Sequence, residues 1–209
     1  MPMSKSLYDV HPGVVMIQKW IATLKDKTGR SLDEWVALAR KKGPKGHKEL
    51  REWLKKEHKL GTNSAWWIAD EAQGKSQEAD DATYLKNAEK YVETMYGGGK
   101  AHLRPLHDAL YKLAKSLGKD VRCCPCQTIV PFYRNHVFAQ IKPTTRTRID
   151  FGLALGATKP TTASGRLIDT DGYAKKDRIT HRFEITSLKD IDGEVKRWLQ
   201  KAYEMDASQ

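Results

Sequence analysis

The chain has 209 residues, 39% hydrophobic and 30% charged, with a net charge of +11 and a pI near 9.5. That is enough apolar material for a packed core, and it argues against wholesale disorder. The length suits one large domain or two small ones, and no apolar run approaches the ~20 residues that cross a bilayer.

Three cysteines, an odd number, do not make a disulfide framework. The N-terminal stretch MPMSKSLYDVHPG lacks the apolar core of a secretory signal. The expectation is a cytoplasmic protein with reduced thiols and no membrane partner. The positive charge is uneven. Residues 1–76 carry 15 Lys and Arg against 9 Asp and Glu, residues 77–118 carry 6 of each, and residues 119–209 carry 16 against 11. A basic surplus of this kind attracts polyanions.

In chain order, residues 1–13 read as a poorly ordered tail. Four short helical patterns follow, each closed by glycine. The first covers about 14–27, with Ile17, Trp20, Ile21 and Leu24 on one stripe. Ser31-Leu32-Asp33-Glu34 is a capping box that opens the second, whose stripe is Leu32, Trp35, Val36 and Ala39. Gly43-Pro44 stops it. The third begins near Gly46 and carries Leu50, Trp53 and Leu54. Thr62 or Asn63 caps the fourth, which holds Trp66, Trp67, Ile68 and Ala72. Adjacent tryptophans on a helix diverge by about 100°, so one of Trp66 and Trp67 faces away from this core, exposed or packed on the second domain. These four helices make a small tryptophan-cored bundle over residues 1–76.

Residues 74–82 read as a linker or helix lead-in. The second part, residues 77–209, starts with helices over about 81–96 and 102–117, separated by Gly97-Gly98-Gly99. That glycine run is not a phosphate-binding P-loop, because no Gly-Lys-Ser/Thr follows. From Val121 the period switches to two. Strands are predicted over 121–127, 128–134, 136–142, 146–155 and 178–186, with a short edge strand at 166–169. In the 146–155 stretch Ile149, Phe151, Leu153 and Leu155 share a face opposite Arg148 and Asp150. In 178–186, Ile179, His181, Phe183 and Ile185 oppose Thr180, Arg182 and Glu184. Ser187 to Asp190 caps a closing helix, with Ile191, Val195, Trp198, Leu199 and Ala202 inward. The fold class is α+β: a small N-terminal helical bundle, then an antiparallel sheet with helices packed on one face.

Both halves carry family-like motifs. Lys27-Thr28-Gly29-Arg30-Ser31, Trp35-Val36-Ala37-Leu38-Ala39, Trp53-Leu54-Lys55 and Leu60-Gly61 resemble the helical family labelled domain of unknown function 4287. Leu103-Arg104-Pro105-Leu106, Phe138-Ala139, Asp150-Phe151-Gly152-Leu153, Gly165-Arg166-Leu167, Thr180-His181-Arg182 and Trp198-Leu199-Gln200-Lys201-Ala202-Tyr203 resemble domain of unknown function 5655. The resemblance is to bacterial proteins that pair these domains in this order, and it implies no activity.

Three constellations bear on chemistry. The turn from Arg40 to Lys48 places Lys41, Lys42, Lys45 and Lys48 around glycines, which suits contact with a phosphate backbone. Arg148, Arg166 and Arg182 lie near His181 in the predicted topology. Converging guanidinium groups there would hold a small anionic ligand, with a histidine suited to proton transfer. Cys123 and Cys126 form a C-x-x-C, but no second pair completes a zinc site, and a strand does not lower a thiol pKa. No catalytic residue, metal or cofactor is assigned. The reading is a non-enzymatic binding protein for an anionic partner such as nucleic acid. The alternatives are a ligand or enzymatic site around His181, and a protein-interaction module anchored by the outward tryptophan. Oligomeric state is left open.

Overall fold

The computed structural model describes residues 6–74, 80–159 and 165–207. The chain forms two compact units. One comprises residues 11–87, and the other comprises the chain from residue 88 onward together with the segment ending at Val10.

The first unit is helical. Helices α1 (Pro12–Thr28), α2 (Leu32–Lys42), α3 (His47–His58) and α4 (Thr62–Ala72) follow the predicted boundaries closely. Ser31 and Glu34 form the expected capping box, each side chain accepting the other's backbone N–H. The cap expected at Thr62 or Asn63 is absent: Gly61 holds the N-cap position and makes no side-chain bond. The core is Leu24, Trp35, Ala39, Leu50, Leu54, Leu60, Ala65, Ile68 and Ala69, with Trp20, Trp53 and Leu32 packed at its margin. Trp35 is buried, and its indole N–H donates to Thr28 Oγ1 at 2.8 Å. The adjacent tryptophans diverge as their helical positions require: Trp67 meets Trp20 edge-on at 4.7 Å, while Trp66 is 48% exposed beneath the Arg51 guanidinium.

Helix α5 (Asp81–Met95) leads into the second unit. A short 3-10 helix (Gly98–Leu103) runs into α6 (Arg104–Lys115), so the predicted helix start at 102 falls two residues early. The sheet has strands β1 (Arg122–Cys123), β2 (Val130–Tyr133), β3 (Val137–Lys142), β4 (Ile149–Leu153), β5 (Ile168–Asp169) and β6 (His181–Ile185), in the order β1-β2-β3-β4-β6-β5, all antiparallel. The predicted strand over 121–127 shrinks to two residues. Its chain turns at Cys126, whose N–H bonds to Ile129 O at 2.8 Å. Ser187 and Asp190 do form a capping box, but it closes a single 3-10 turn. Helix α7 (Gly193–Ala207) begins later, where Asp192 accepts the Glu194 and Val195 N–H groups.

The register places Val130, Phe132, Ala139, Ile141, Ile149, Phe151, Leu153, Phe183 and Ile185 on one face, all buried. Helices α6 and α7 cover this face. Tyr111 of α6 approaches Phe132 at 6.3 Å, and α7 buries Val195, Leu199 and Ala202. Fully burying one such side chain is worth roughly 1.5–3 kcal/mol, so this layer supplies most of the unit's driving force. The opposite face is polar and carries Gln140, Lys142, Asp150, Arg182 and Glu184.

Part of the expected N-terminal tail is ordered within this unit. Asp9 pairs with Cys123 through two bonds of 2.8 Å, Asp9 N–H to Cys123 O and Cys123 N–H to Asp9 Oδ2. Lys115 Nζ reaches the same carboxylate at 3.1 Å, and Tyr8 packs edge-on against Tyr111. Residues 1–5 of that tail lie outside the described residues, as do residues 75–79 of the linker and 160–164 of the Pro/Thr/Ser loop.

Two buried polar groups tie this unit together. Asp206, at the end of α7, is buried. It accepts the backbone N–H groups of Asn135 and His136 at 2.8 and 2.9 Å and pairs with Arg178. Arg178 also donates to Val137 O at 2.8 Å. The Arg178 side chain is 39% exposed, so water can take up its charge, and the loss from Asp206→Ala falls on the Asn135 and His136 N–H groups left without an acceptor. That variant is expected to cost about 1–3 kcal/mol per orphaned N–H in a urea titration, and Asp206→Asn, which keeps one acceptor oxygen, less.

His107 of α6 is buried beside the Tyr96 hydroxyl, 3.1 Å from Nδ1, and burial pushes its pKa down to about 4. The neighbouring Asp108 and Glu93 oppose that shift and Arg104 adds to it. A folded-state pKa below the unfolded value stabilises the fold above the unfolded pKa and loses that stabilisation as pH falls. Stability measured by denaturant is expected to drop between about pH 6.5 and 4, by about 3 kcal/mol from this residue. His107→Gln should flatten that part of the profile.

Candidate anion-binding sites

The lysine turn of the helical unit is built by packing at its base. Lys41 and Lys42 close α2, Lys45 sits in the connection, and Lys48 lies in the first turn of α3. A Cβ on Gly43 would fall 2.5 Å from Leu50 Cδ1 and 2.6 Å from Ala39 O, so only glycine lets the turn close onto the core. From α4, Ala72 O and Glu71 O accept from the Arg40 guanidinium at 2.9 and 3.2 Å, and Asp70 Oδ1 meets His47 Nε2 at 2.6 Å. Gln73 donates to Lys45 O at 3.0 Å. The backbone of the turn is thus held from both sides while the four lysine side chains remain exposed. Among the described residues, none of the four lies within ion-pair distance of a carboxylate. Lys41 and Lys42 also sit at the negative end of the α2 dipole, which orients but does not neutralise them.

The sheet unit treats its arginines differently. Asp150 on β4 and Glu184 on β6 face each other in register. Two like charges in directly opposed positions repel, and Arg148 and Arg182 bridge them. Arg148 reaches Asp150 and Glu184 at 2.9 Å each, and Arg182 reaches them at 2.7 and 2.9 Å. This half-buried quartet is electrically neutral, so an incoming anion would have to displace a carboxylate. Arg166 lies elsewhere. It pairs with Asp192, donates to Asp190 O at 2.8 Å, and lies 5.8 Å from the Phe183 ring on the covered side.

His181 is on that covered face as well, opposite Leu153 and beside Asp169. Its Nδ1 lies 2.8 Å from the Thr180 hydroxyl, which also accepts the Leu155 N–H at 3.1 Å. Burial lowers its pKa, with Asp169 and the Thr158 backbone pulling the other way, and its Nε2 is buried without a hydrogen-bond partner among the described residues. The structure therefore brings Arg148 and Arg182 together and separates them from His181 and Arg166. Period-two alternation already places position 181 opposite 182. It does not say where a loop residue such as Arg166 turns.

The residues that fix the lysine turn, Arg40, His47, Asp70 and Gln73, have no local signal in the sequence. Their partners are 23 to 32 residues distant.

None of the three cysteines is joined in a disulfide, and Cys123 and Cys124 are buried while Cys126 is half-buried. Burial pushes the Cys123 thiol well up and the Cys124 thiol to about 12, against any thiolate role. Among the described residues no group of three or more His, Cys, Asp or Glu side chains is placed to share a metal ion.

The second unit is thus an α+β domain with one helix-covered face and one polar face, preceded by a tryptophan-cored helical bundle. The chain belongs to the family described as Domain of unknown function (DUF5655), whose family model matches residues 92–206. Residues 16–74 match the model described as Domain of unknown function (DUF4287). No curated protein and no solved structure matches the chain. No helix among the described residues is long and apolar enough to cross a membrane.

The cysteine environment is open to direct measurement. In a thiol titration with an aromatic disulfide reagent, at most the half-buried Cys126 is expected to react quickly in the native protein. All three should react in denaturant.

Proposed function

We propose that the chain is a non-enzymatic polyanion-binding protein, with nucleic acid as the partner whose chemistry fits best and the α2–α3 turn as its phosphate contact. The carrying observation is that Lys41, Lys42, Lys45 and Lys48 are exposed and free of carboxylate partners on a turn braced by Arg40, His47 and Gln73. Lysines already spent on carboxylates contribute little to phosphate binding. Free ones release condensed counterions when they meet it. A braced turn also loses less backbone freedom on binding than a loose one.

A small-ligand site around His181 with Arg148, Arg166 and Arg182 has weaker support. Two of those arginines are neutralised on one sheet face, while His181 and Arg166 lie on the other side. The exposed Trp66 is available to a protein partner, but it sits singly on the helix surface and is capped by Arg51.

The test is fluorescence anisotropy with labelled duplex DNA, single-stranded DNA and RNA across a salt series. Binding at low salt is expected, with log affinity falling against log salt at a slope of about −3 to −4 if all four lysines meet phosphates. Changing the four lysines to glutamine should flatten that slope and weaken binding to all sequences alike. No binding at low salt, no salt dependence, or an unaffected quadruple variant would each refute the reading.

A further inference from the structure

The glycine run that ends α5 borders a cavity of about 530 Å³ in the sheet unit. Its walls come from the end of α5 (Thr94, Met95), the Gly97–Gly99 turn with Lys100, residues Gln127 and Thr128 ahead of β2, and the β3–β4 connection from Lys142 to Arg146. Three cations line it: Lys100, Lys142 and Arg146. Among the described residues, no carboxylate does. The remaining polar lining includes the donor-capable hydroxyls of Thr94 and Thr128 and the Gln127 amide, while the Thr144 hydroxyl donates to Asp150 at 2.7 Å. Two other cavities of this unit carry acids among their basic residues. One has Asp177 with Lys176 and Arg178. The other has Asp150 and Asp177 with Lys142, Arg178 and Arg182.

The three cations are placed by separate pieces of backbone. Lys100 donates to Pro143 O at 2.5 Å, which pins the β3–β4 connection to the glycine turn and leaves two of its three ammonium hydrogens for another acceptor. The Arg146 side chain runs along Gly99: a Cβ there would meet Arg146 Cδ at 3.7 Å and Nε at 3.9 Å. Gly98 has φ +57°, a conformation that lets the chain turn tightly beside the cavity. Lys142 is exposed at the end of β3. The carboxylate that faces it in register is Asp150, which is already shared among Arg148, Arg182 and the Thr144 hydroxyl. Among the described residues, neither Lys142 nor Arg146 has an ion-pair partner.

We infer that this cavity binds a small phosphomonoester, its dianion held between Lys100, Lys142 and Arg146 with the Thr94 and Thr128 hydroxyls as further donors. Three positive charges with no lining acid favour a dianion over a single carboxylate. A planar arginine fork matches two phosphate oxygens at once. The volume falls within the range of small-molecule pockets, enough for a phosphate carrying a sugar or nucleoside body. The buried Met95 and Pro143 give that body apolar wall. The inference stands apart from the lysine-turn reading, because it uses different residues in the other unit.

The experiment is isothermal titration calorimetry on the full chain at low ionic strength with inorganic phosphate, ribose 5-phosphate, AMP and unphosphorylated ribose. Saturable one-site binding is expected for the phosphorylated compounds and none for ribose. Lys142→Gln and Arg146→Gln alter exposed side chains without ion pairs, so circular dichroism and the thermal midpoint should not move. Each is expected to weaken binding at least about tenfold. The quadruple glutamine variant at Lys41, Lys42, Lys45 and Lys48 should bind ribose 5-phosphate as the parent does. No saturable heat at millimolar ligand, equal binding of ribose, or undiminished binding by both cavity variants would overturn the inference.

Discussion

The pairing of β4 with β6 is the constraint on which the second unit depends. Their register sets Phe151 against Phe183 on the covered face and Asp150 against Glu184 on the polar one. A slip of one residue would carry every aromatic into water and every carboxylate under the helices, so the register is enforced by burial itself. The polar face follows from the same choice. Once the two acids are opposed, Arg148 and Arg182 must bridge them, and those arginines are then unavailable to a ligand. Charge on this protein is thus sorted by the fold into a spent portion on the sheet and an unspent portion at two edges.

That sorting matters more than the net surplus. A chain with +11 has many cations, but a count does not distinguish Arg182, locked between two carboxylates, from Lys45, which has none. The free groups share a structural trait. In each case a glycine-containing turn is tied by side-chain hydrogen bonds to another segment of the same unit, near Gly43 by Arg40 to Ala72 O and Gln73 to Lys45 O, and next to Gly99 by Lys100 to Pro143 O. Rigid backbone with solvated side chains is a sound arrangement for meeting an anion, because little order is lost when contact is made.

Much of the architecture was legible because it is written in short-range periodicity. The alternation in 146–155 and 178–186 reports which residues face the helices, and Ser31 with Glu34 reports a helix start within four positions. Adjacent tryptophans likewise announce that one must face away from the core, and Trp66 does. What the sequence hid were interactions between distant positions. Nothing near Asp9 marks it as a partner of Cys123, and nothing near Asp206 marks it as the acceptor for the β2–β3 turn. The strand expected over 121–127 failed for a related reason: its apolar residues are buried by turns and by the N-terminal segment rather than by a ladder. The cationic cavity was equally invisible, since Lys100, Lys142 and Arg146 come from segments that only the folded chain brings together.

The Asp9 strap has a consequence for dissecting the molecule. Because residues 6–10 belong with the sheet while the helical bundle follows them in the chain, the bundle is inserted in the sequence of the larger unit rather than appended to it. A fragment trimmed to the match beginning at residue 92 would keep every strand yet forfeit the carboxylate that sits between Lys115 and the Cys123 amide. Its first ribbon would then have a bare margin, which invites association with another chain. Excision of this domain is therefore best done with the leading segment retained, so that it travels with the body it completes.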